Sequence, residues 1–291
     1  MDGLKKISYS QYSMWAQCPH RWKTAYIDGH REFSDNIHTL FGTSMHEVIQ
    51  TFLTVMYNDT AKMAEALPLE DMLLTRMKRN FESVLETNGG EMFCTEKDMV
   101  EFYQHGVEIL KFIRKKRAQY FSKKGYELIG IEVPLNYDLP NNVKFVGYID
   151  IVIRDTVRDV IKIYDIKTST MGWNKWMKAD KNKTDQLLLY KQFYSKQFNH
   201  PMDKIEVEYF IVKRKLYENL DFPQKRVQKF TPANGKPSIN QVVKRLDEFL
   251  KDGFNDDGEY RTEHIYRKEA SKKNCKYCDF NQTKFCDAGV K

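Results

Sequence analysis

The chain has 291 residues, 41% of them apolar, 13% aromatic and 30% charged, a composition that fits an ordered, well-solvated globular protein and excludes wholesale disorder. Its 47 basic and 40 acidic residues leave a formal charge of +7, which favours a polyanionic partner without establishing one. No stretch reaches the roughly 18–20 apolar residues of a membrane helix and the opening MDGLKKISYS lacks the apolar core of a secretory signal, so the expectation is a soluble, intracellular protein with no membrane partner, cytoplasmic or in a host cytoplasm if viral.

The first 125 residues read as mainly helical. SYSQYSMWAQCPHRWKTAYI, FGTSMHEVIQTFLTVMY, DMLLTRMKRNFESVLE and DMVEFYQHGVEILKFIRKKRAQYF each repeat apolar residues at helical spacing, and Ser8 or Ser10 is placed to cap the first of them. From residue 126 the period shortens. ELIGIEVPL, VKFVGYIDIVI and DVIKIYDIKTS are strand-like runs separated by Pro, Asn and Asp, and they predict a three-strand meander. KTDQLLLYKQFYSKQF then predicts a helix and KIEVEYFIVKR a fourth strand, so the sheet is expected to be mixed and covered by helices. DFPQKRVQKFTPANGKP reads as strand and loop, QVVKRLDEFLKDGF as a helix, and the tail from Tyr266 as basic and cysteine-bearing. The chain thus divides into a helical N-terminal region, 1–125, a core, 126–215, and a C-terminal strand, helix and cysteine region, 216–291, expected to form one continuous globular unit.

Asp150 ends GYID on one predicted strand, and Asp165 and Lys167 form Asp-x-Lys on the next. Residues two apart share a face of a strand, so Asp165 and Lys167 point together, and a neighbouring antiparallel strand can set Asp150 beside them. Unpaired carboxylates among apolar residues are costly to bury, which gives a divalent cation a physical reason to be there, and Mg²⁺ or Mn²⁺ suits oxygen ligands. Phosphodiester cleavage needs such an ion to activate water and neutralise charge, with Lys167 positioning the water or stabilising the transition state. Taken alone, the three residues read better as a structural salt bridge at strand ends.

Further residues stand at ordered positions: Gly42-Thr-Ser-Met-His46, Gly147-Tyr-Ile-Asp150, Tyr164-Asp-Ile-Lys167 and Gln186-x-x-x-Tyr190. The succession, spanning residues 8–215, resembles the PD-(D/E)XK nucleases and in particular their RecB-like exonuclease branch. The resemblance implies a restriction-endonuclease-like α/β fold, with His46, Asp150 and Asp165 as metal ligands and Lys167 as the catalytic lysine. Asp165 stands where many members carry glutamate. Gln186 and Tyr190, four apart and so on one helix face, would contact DNA or support the site. Glu132, in IEVPL, is a weaker candidate.

Five cysteines without an export signal point to metal or cluster ligation rather than to disulfides. Cys275 and Cys278 form C-x2-C, Cys286 follows after seven intervening residues, and Cys18 sits near the opposite terminus, so four thiolates converge if the chain ends meet. Cys94 stands apart and is assigned no role. The set resembles the iron–sulfur members of the RecB-like branch, which carry one N-terminal and three C-terminal cysteines, and this implies a 4Fe–4S cluster. The gap before Cys286 is wider than the usual family spacing, and zinc held by four cysteines stays open.

In MGWNKWMKADKNK, Trp173 and Trp176 alternate with lysines, which suits base stacking and phosphate attraction on a single strand, or equally a helix start with a buried tryptophan. Arg21 is a candidate phosphate contact. The expectation is a Mg²⁺- or Mn²⁺-dependent deoxyribonuclease acting on DNA ends or single strands in recombination, repair or replication. With no P-loop in the chain, a helicase or recombination protein is the expected partner where a motor is needed. Two alternatives are a catalytically silent DNA-binding or assembly subunit and a nuclease of RNA. End polarity and oligomeric state are not written in the sequence.

Overall fold

The computed structural model describes residues 4–30, 35–218 and 221–290. A short strand, β1 (Lys5–Ile7), precedes α1 (Tyr9–Gln17) and α2 (Pro19–Trp22), which runs into a π-helical turn over Lys23–Ile27. Ser8 caps α1 by accepting the Gln11 N–H, and Pro19 opens α2, where a missing N–H costs nothing. A helical layer follows: α3 (Ile37–Asn58), α4 (Ala61–Glu65), α5 (Leu69–Thr87) and α6 (Glu96–Tyr120). Reciprocal capping boxes at Asn36/Thr39 and Thr95/Asp98 fix the starts of α3 and α6.

The expected meander is present as β2 (Tyr126–Leu139), β3 (Val143–Asp155) and β4 (Val160–Ser169), each antiparallel to the one before. Asn141 and Asn142 take positive φ to close the β2–β3 turn, a conformation asparagine tolerates. After α7 (Lys175–Ala179) and α8 (Lys181–Gln197), β5 (Ile205–Lys213) returns parallel to β4, and β6 (Val227–Phe230) pairs antiparallel to β5. The chain ends in α9 (Lys236–Gly253) and the short α10 (Lys272–Cys275).

The result is a six-stranded mixed sheet ordered β1-β3-β4-β5-β6, with β2 on the other edge of β3. β1 was not foreseen, because three residues carry no readable period and its partner, Val143–Phe145, is far away in the chain. Two cores flank the sheet. One joins Tyr12, Trp22, Leu187, Tyr190 and Phe249, and the other joins α3, α5 and α6 through Phe41, Met45, Leu73 and Ile109. β5 feeds both, Tyr209 and Ile211 into the first and Phe210 and Val212 into the second, which is why its sequence is a continuous apolar run.

On α6, a Cβ at Gly106 would collide with Leu73 Cδ2 and lie 3.1 Å from Phe41 Cε2, both from buried side chains. Gly106→Ala is therefore expected to lower stability by about 1–3 kcal/mol in urea unfolding, despite alanine's better helix propensity. An unchanged or raised midpoint would show that the α3/α5/α6 layer has slack there.

Candidate active site

The β3–β4 ladder runs from Asp155↔Val160 to Ile151↔Tyr164 and stops, while β1 occupies the same edge of β3 at Val143–Phe145. Asp150 and Asp165, the next residues on each strand, therefore lie at a fork where the strands part. There the Ile166 N–H donates to Asp150 Oδ2 at 2.6 Å, a carboxylate standing in for the lost strand partner. Face alternation also breaks at Asp150, since Ile149 and Val152 enter the α8/α9 core while Ile151 and Ile153 enter the α3/α5/α6 core.

On β4 the alternation holds, and Asp165 and Lys167 share a face with Lys167 Nζ 2.8 Å from Asp165 Oδ2. The same ammonium donates to Gln186 Oε1 at 2.9 Å, and Gln186 Nε2 donates to the Tyr190 hydroxyl at 3.1 Å. Tyr190 lies beneath Gly147, where a Cβ would come within 3.2 Å of Tyr190 Cε1, so the glycine of GYID makes room for the helix that carries Gln186. Asp185, one residue earlier, is buried in an ion pair with Arg245 of α9 and accepts from the Tyr12 hydroxyl of α1 at 3.3 Å. These contacts hold α1, α8 and α9 together.

From the other side α3 presents His46, whose Nδ1 is 3.6 Å from Asp150 Oδ2. One turn further on, Gln50 donates to Glu132 Oε1 at 2.5 Å and to Asp150 O at 3.4 Å. Glu132 takes φ 50° within β2, between the pairs Ile131↔Ile151 and Val133↔Ile149, which sets it across from Asp150. Backbone strain in a non-glycine residue gathers at functional sites. Sequence reasoning missed Gln50, whose only signal is its four-residue spacing from His46 on one helix face.

Burial pushes the Asp150 and Asp165 carboxyls up to about 6 against the pull of Lys167. Burial pulls the Lys167 ammonium down, but Asp165 and Asp150 outweigh it and hold it above its ordinary value. His46 is held low, by burial and then by Lys167, so a neutral ring offers a lone pair. Among the described residues, no three or more His, Cys, Asp or Glu side chains stand close enough together to hold a metal ion. The donor chemistry at the fork nonetheless suits a hard divalent cation. Buried Asp165 Oδ2 is met, among the described residues, only by the Lys167 ammonium, and Asp150 beside the fork contacts the His46 imidazole.

A cleft of about 510 Å³ runs from Lys167 and Gln186 between Ser10, Ser13 and Gln17 of α1 and Lys183 of α8. Trp173 is buried on Tyr209 and Phe230, whereas Trp176 is 72% exposed with Lys175 Nζ 4.9 Å from its ring centre. The two tryptophans thus divide between core and surface. Arg21 donates to Tyr277 O at 3.0 Å and faces Asp279, so much of its charge is engaged by the tail.

That tail does return to the N-terminus. Cys18, Cys275, Cys278 and Cys286 line one cavity, all as free thiols, and Asn274 donates to Gln17 O while His20 Nε2 donates to Phe285 O, both at 2.9 Å. Burial pushes the Cys278 thiol up, against a backbone hydrogen bond from Phe280 and then the charge of Arg21. Cys94 packs at the edge of the α3/α5/α6 core, away from the other four.

Residues 6–283 match the family model of the PD-(D/E)XK nuclease superfamily. The chain belongs to that superfamily. A PD-(D/E)XK chain is a nuclease by class, and its six-stranded mixed sheet flanked by helices is the restriction-endonuclease-like fold. The same fold appears in the crystal structure of a "Putative exonuclease" from Eubacterium rectale, with 15% sequence identity, a TM-score of 0.50 and coverage of 94% of this chain and 86% of that one. At that identity the likeness is one of fold. No curated protein sequence matches the chain.

Because burial raises the Asp150 carboxyl from 3.8 to about 6, the folded state binds more protons than the unfolded state between those values, and stability falls as pH rises through that window. Asp150→Asn keeps an acceptor for the Ile166 N–H and removes the charge. In EDTA at pH 7.5 the variant is expected to melt a few degrees above wild type, with the difference vanishing as pH falls towards 4. A variant less stable than wild type at pH 7.5 would show that the buried charge is fully compensated.

Proposed function

We propose that the chain is a Mg²⁺- or Mn²⁺-dependent deoxyribonuclease, acting on DNA ends or single strands as an exonuclease. The observation that carries this reading is the contact chain Asp165–Lys167–Gln186 set at the strand fork beside Asp150 and opening into the cleft. A structural salt bridge needs neither a second buried carboxylate at the fork nor an open cleft beside the lysine. PD-(D/E)XK nucleases use divalent metals, and here Asp150 and Asp165 would hold the ion with His46 and Glu132 at its margin. Bound there, the ion would supply charge neutralisation at the scissile phosphate and an activated water.

The chain's own residues do the rest. Lys167, kept charged by two carboxylates and aimed by Gln186, stabilises negative charge developing on the phosphate. Tyr190 holds Gln186, and the Asp185–Arg245–Tyr12 contacts hold α8 against α1. Ser10, Ser13, Gln17 and Lys183 offer donors along the cleft, and exposed Trp176 offers a face for a base. Action at ends is favoured by the resemblance of the motif set to the RecB-like exonuclease branch.

With end-labelled and circular DNA in Mn²⁺, wild type is expected to degrade the linear substrate and spare the circle. Asp165→Ala and Lys167→Ala are each expected to lose about 10²-fold or more in rate with little change in DNA binding. Equal activity in all three proteins would sink the site, and a wild type that binds without cutting would favour the silent DNA-binding subunit. Cleavage of RNA in preference to DNA would reassign the substrate.

The second part of the proposal is that Cys18, Cys275, Cys278 and Cys286 hold a 4Fe–4S cluster. Their shared cavity and the hydrogen bonds drawing the tail onto α1 and α2 support a ligand that staples the chain ends. Anaerobically purified protein is expected to be brown, with iron and acid-labile sulfide, and Cys278→Ser to lose colour and melt lower. Colourless protein with one zinc would replace the cluster by a zinc site.

A further inference from the structure

On the α3/α6 side of the sheet, across β4 from the α1/α8 cleft, lies a second cavity of about 140 Å³. It is lined by His38 and Phe41 of α3, Phe102 of α6, Thr168, Ser169 and exposed Thr170, and Arg214, which follows β5. Thr168 and Ser169 also line the cleft beside Lys167, so the two openings share a lip that begins one residue beyond the lysine.

Arg214 is only 7% exposed, and a buried guanidinium calls for anionic partners. Its Nη1 donates to Glu101 Oε1 at 3.0 Å and to His105 Nδ1 at 3.2 Å, and its guanidinium carbon sits 3.9 Å from the centre of the Phe102 ring. Nε and Nη2 make no hydrogen bond among the described residues. Arginine has no acceptor, so His105 Nδ1 must accept, and the ring is the neutral tautomer with its proton on Nε2. Lys215 shares the same carboxylate, with Nζ 3.0 Å from Glu101 Oε1, and Arg226 donates to Arg214 O at 2.9 Å. Positive charge therefore exceeds what Glu101 neutralises. The remaining guanidinium donors, with threonine hydroxyls in the lining, suit a tetrahedral oxyanion.

The Arg214 N–H donates to Ser169 O, which ties the segment after β5 to the shared lip two residues past Lys167. We propose that this cavity is a phosphate subsite, which holds a phosphate of the nucleic-acid strand on the far side of the Thr168–Ser169 lip from Lys167. The subsite rests on the nuclease reading. Its ligand is either an internal phosphodiester or a terminal phosphate.

The test measures binding of a short oligothymidylate with a 5′-phosphate, a 3′-phosphate or neither, in EDTA, alongside cleavage in Mn²⁺. Thr170→Glu places a carboxylate at an exposed lining position without disturbing Arg214, and is expected to weaken binding about tenfold, the loss of one charge-assisted contact. Glu101→Gln frees the guanidinium and is expected to tighten binding a few-fold, a gain that damage to the fold would not produce. Effects confined to one end-phosphorylated oligonucleotide assign a terminal phosphate, and equal effects on all three assign an internal phosphodiester. Neither variant changing any Kd, while wild type binds and cuts, overturns the subsite alone. A wild type that binds with the expected responses but never cuts overturns the nuclease reading and leaves the subsite standing, and one that neither binds nor cuts overturns both.

Discussion

β3 offers one hydrogen-bonding edge to two partners, β1 over Val143–Phe145 and β4 over Ile151–Asp155, and the two cannot run side by side along it. Between them the ladder must open, and a backbone N–H at the opening needs another acceptor. Ile166 finds it in the Asp150 carboxylate. The geometry of the candidate site is thus a consequence of strand pairing: the fork puts Asp150 and Asp165 at one point, Glu132 faces it across β2–β3, and period two carries Lys167 to the same face as Asp165. Everything outside the sheet then serves to place groups around that opening, α3 bringing His46 and Gln50 and α8 bringing Gln186.

The fork is electrostatically unfinished. Two carboxylates raised by burial share one ammonium, and Asp165 Oδ2 has no partner besides it among the described residues. Such an arrangement destabilises the ion-free protein and is retained where a site has to receive positive charge. The helices absorb the mechanical side of this. Asp185, Arg245 and Tyr12 lock α8 to α1 and α9, and the cysteine-bearing tail is drawn onto α1 and α2, so one wall of the cleft is braced at both ends.

Much of this was legible before any coordinates. The meander from residue 126 and the strand of KIEVEYFIVKR carry unambiguous patterns, so the positions of Asp150, Asp165 and Lys167 on adjacent strands could be read from period and spacing. Local sequence could not show β1, whose pairing is long-range, or the break in alternation at Asp150, which arises from the fork itself. Gln50 and Arg214 were equally hidden. One reads as a helix residue and the other as a strand-end cation, and only tertiary packing brings them to Glu132 and Glu101. For the tryptophans of MGWNKWMKADKNK the sequence left core and surface open, and burial divides them, Trp173 inside and Trp176 outside. Arg21, read from the sequence as a phosphate contact, both lines the cleft and is partnered by the tail.

The central claim is that the fork between β3 and β4 is where a divalent cation binds. Crystals soaked in Mn²⁺ and measured at the manganese absorption edge test it directly. The account predicts an anomalous peak coordinated by Asp150 and Asp165, with Lys167 beside it. Full occupancy elsewhere with the fork still closed by the Lys167–Asp165 contact would contradict it.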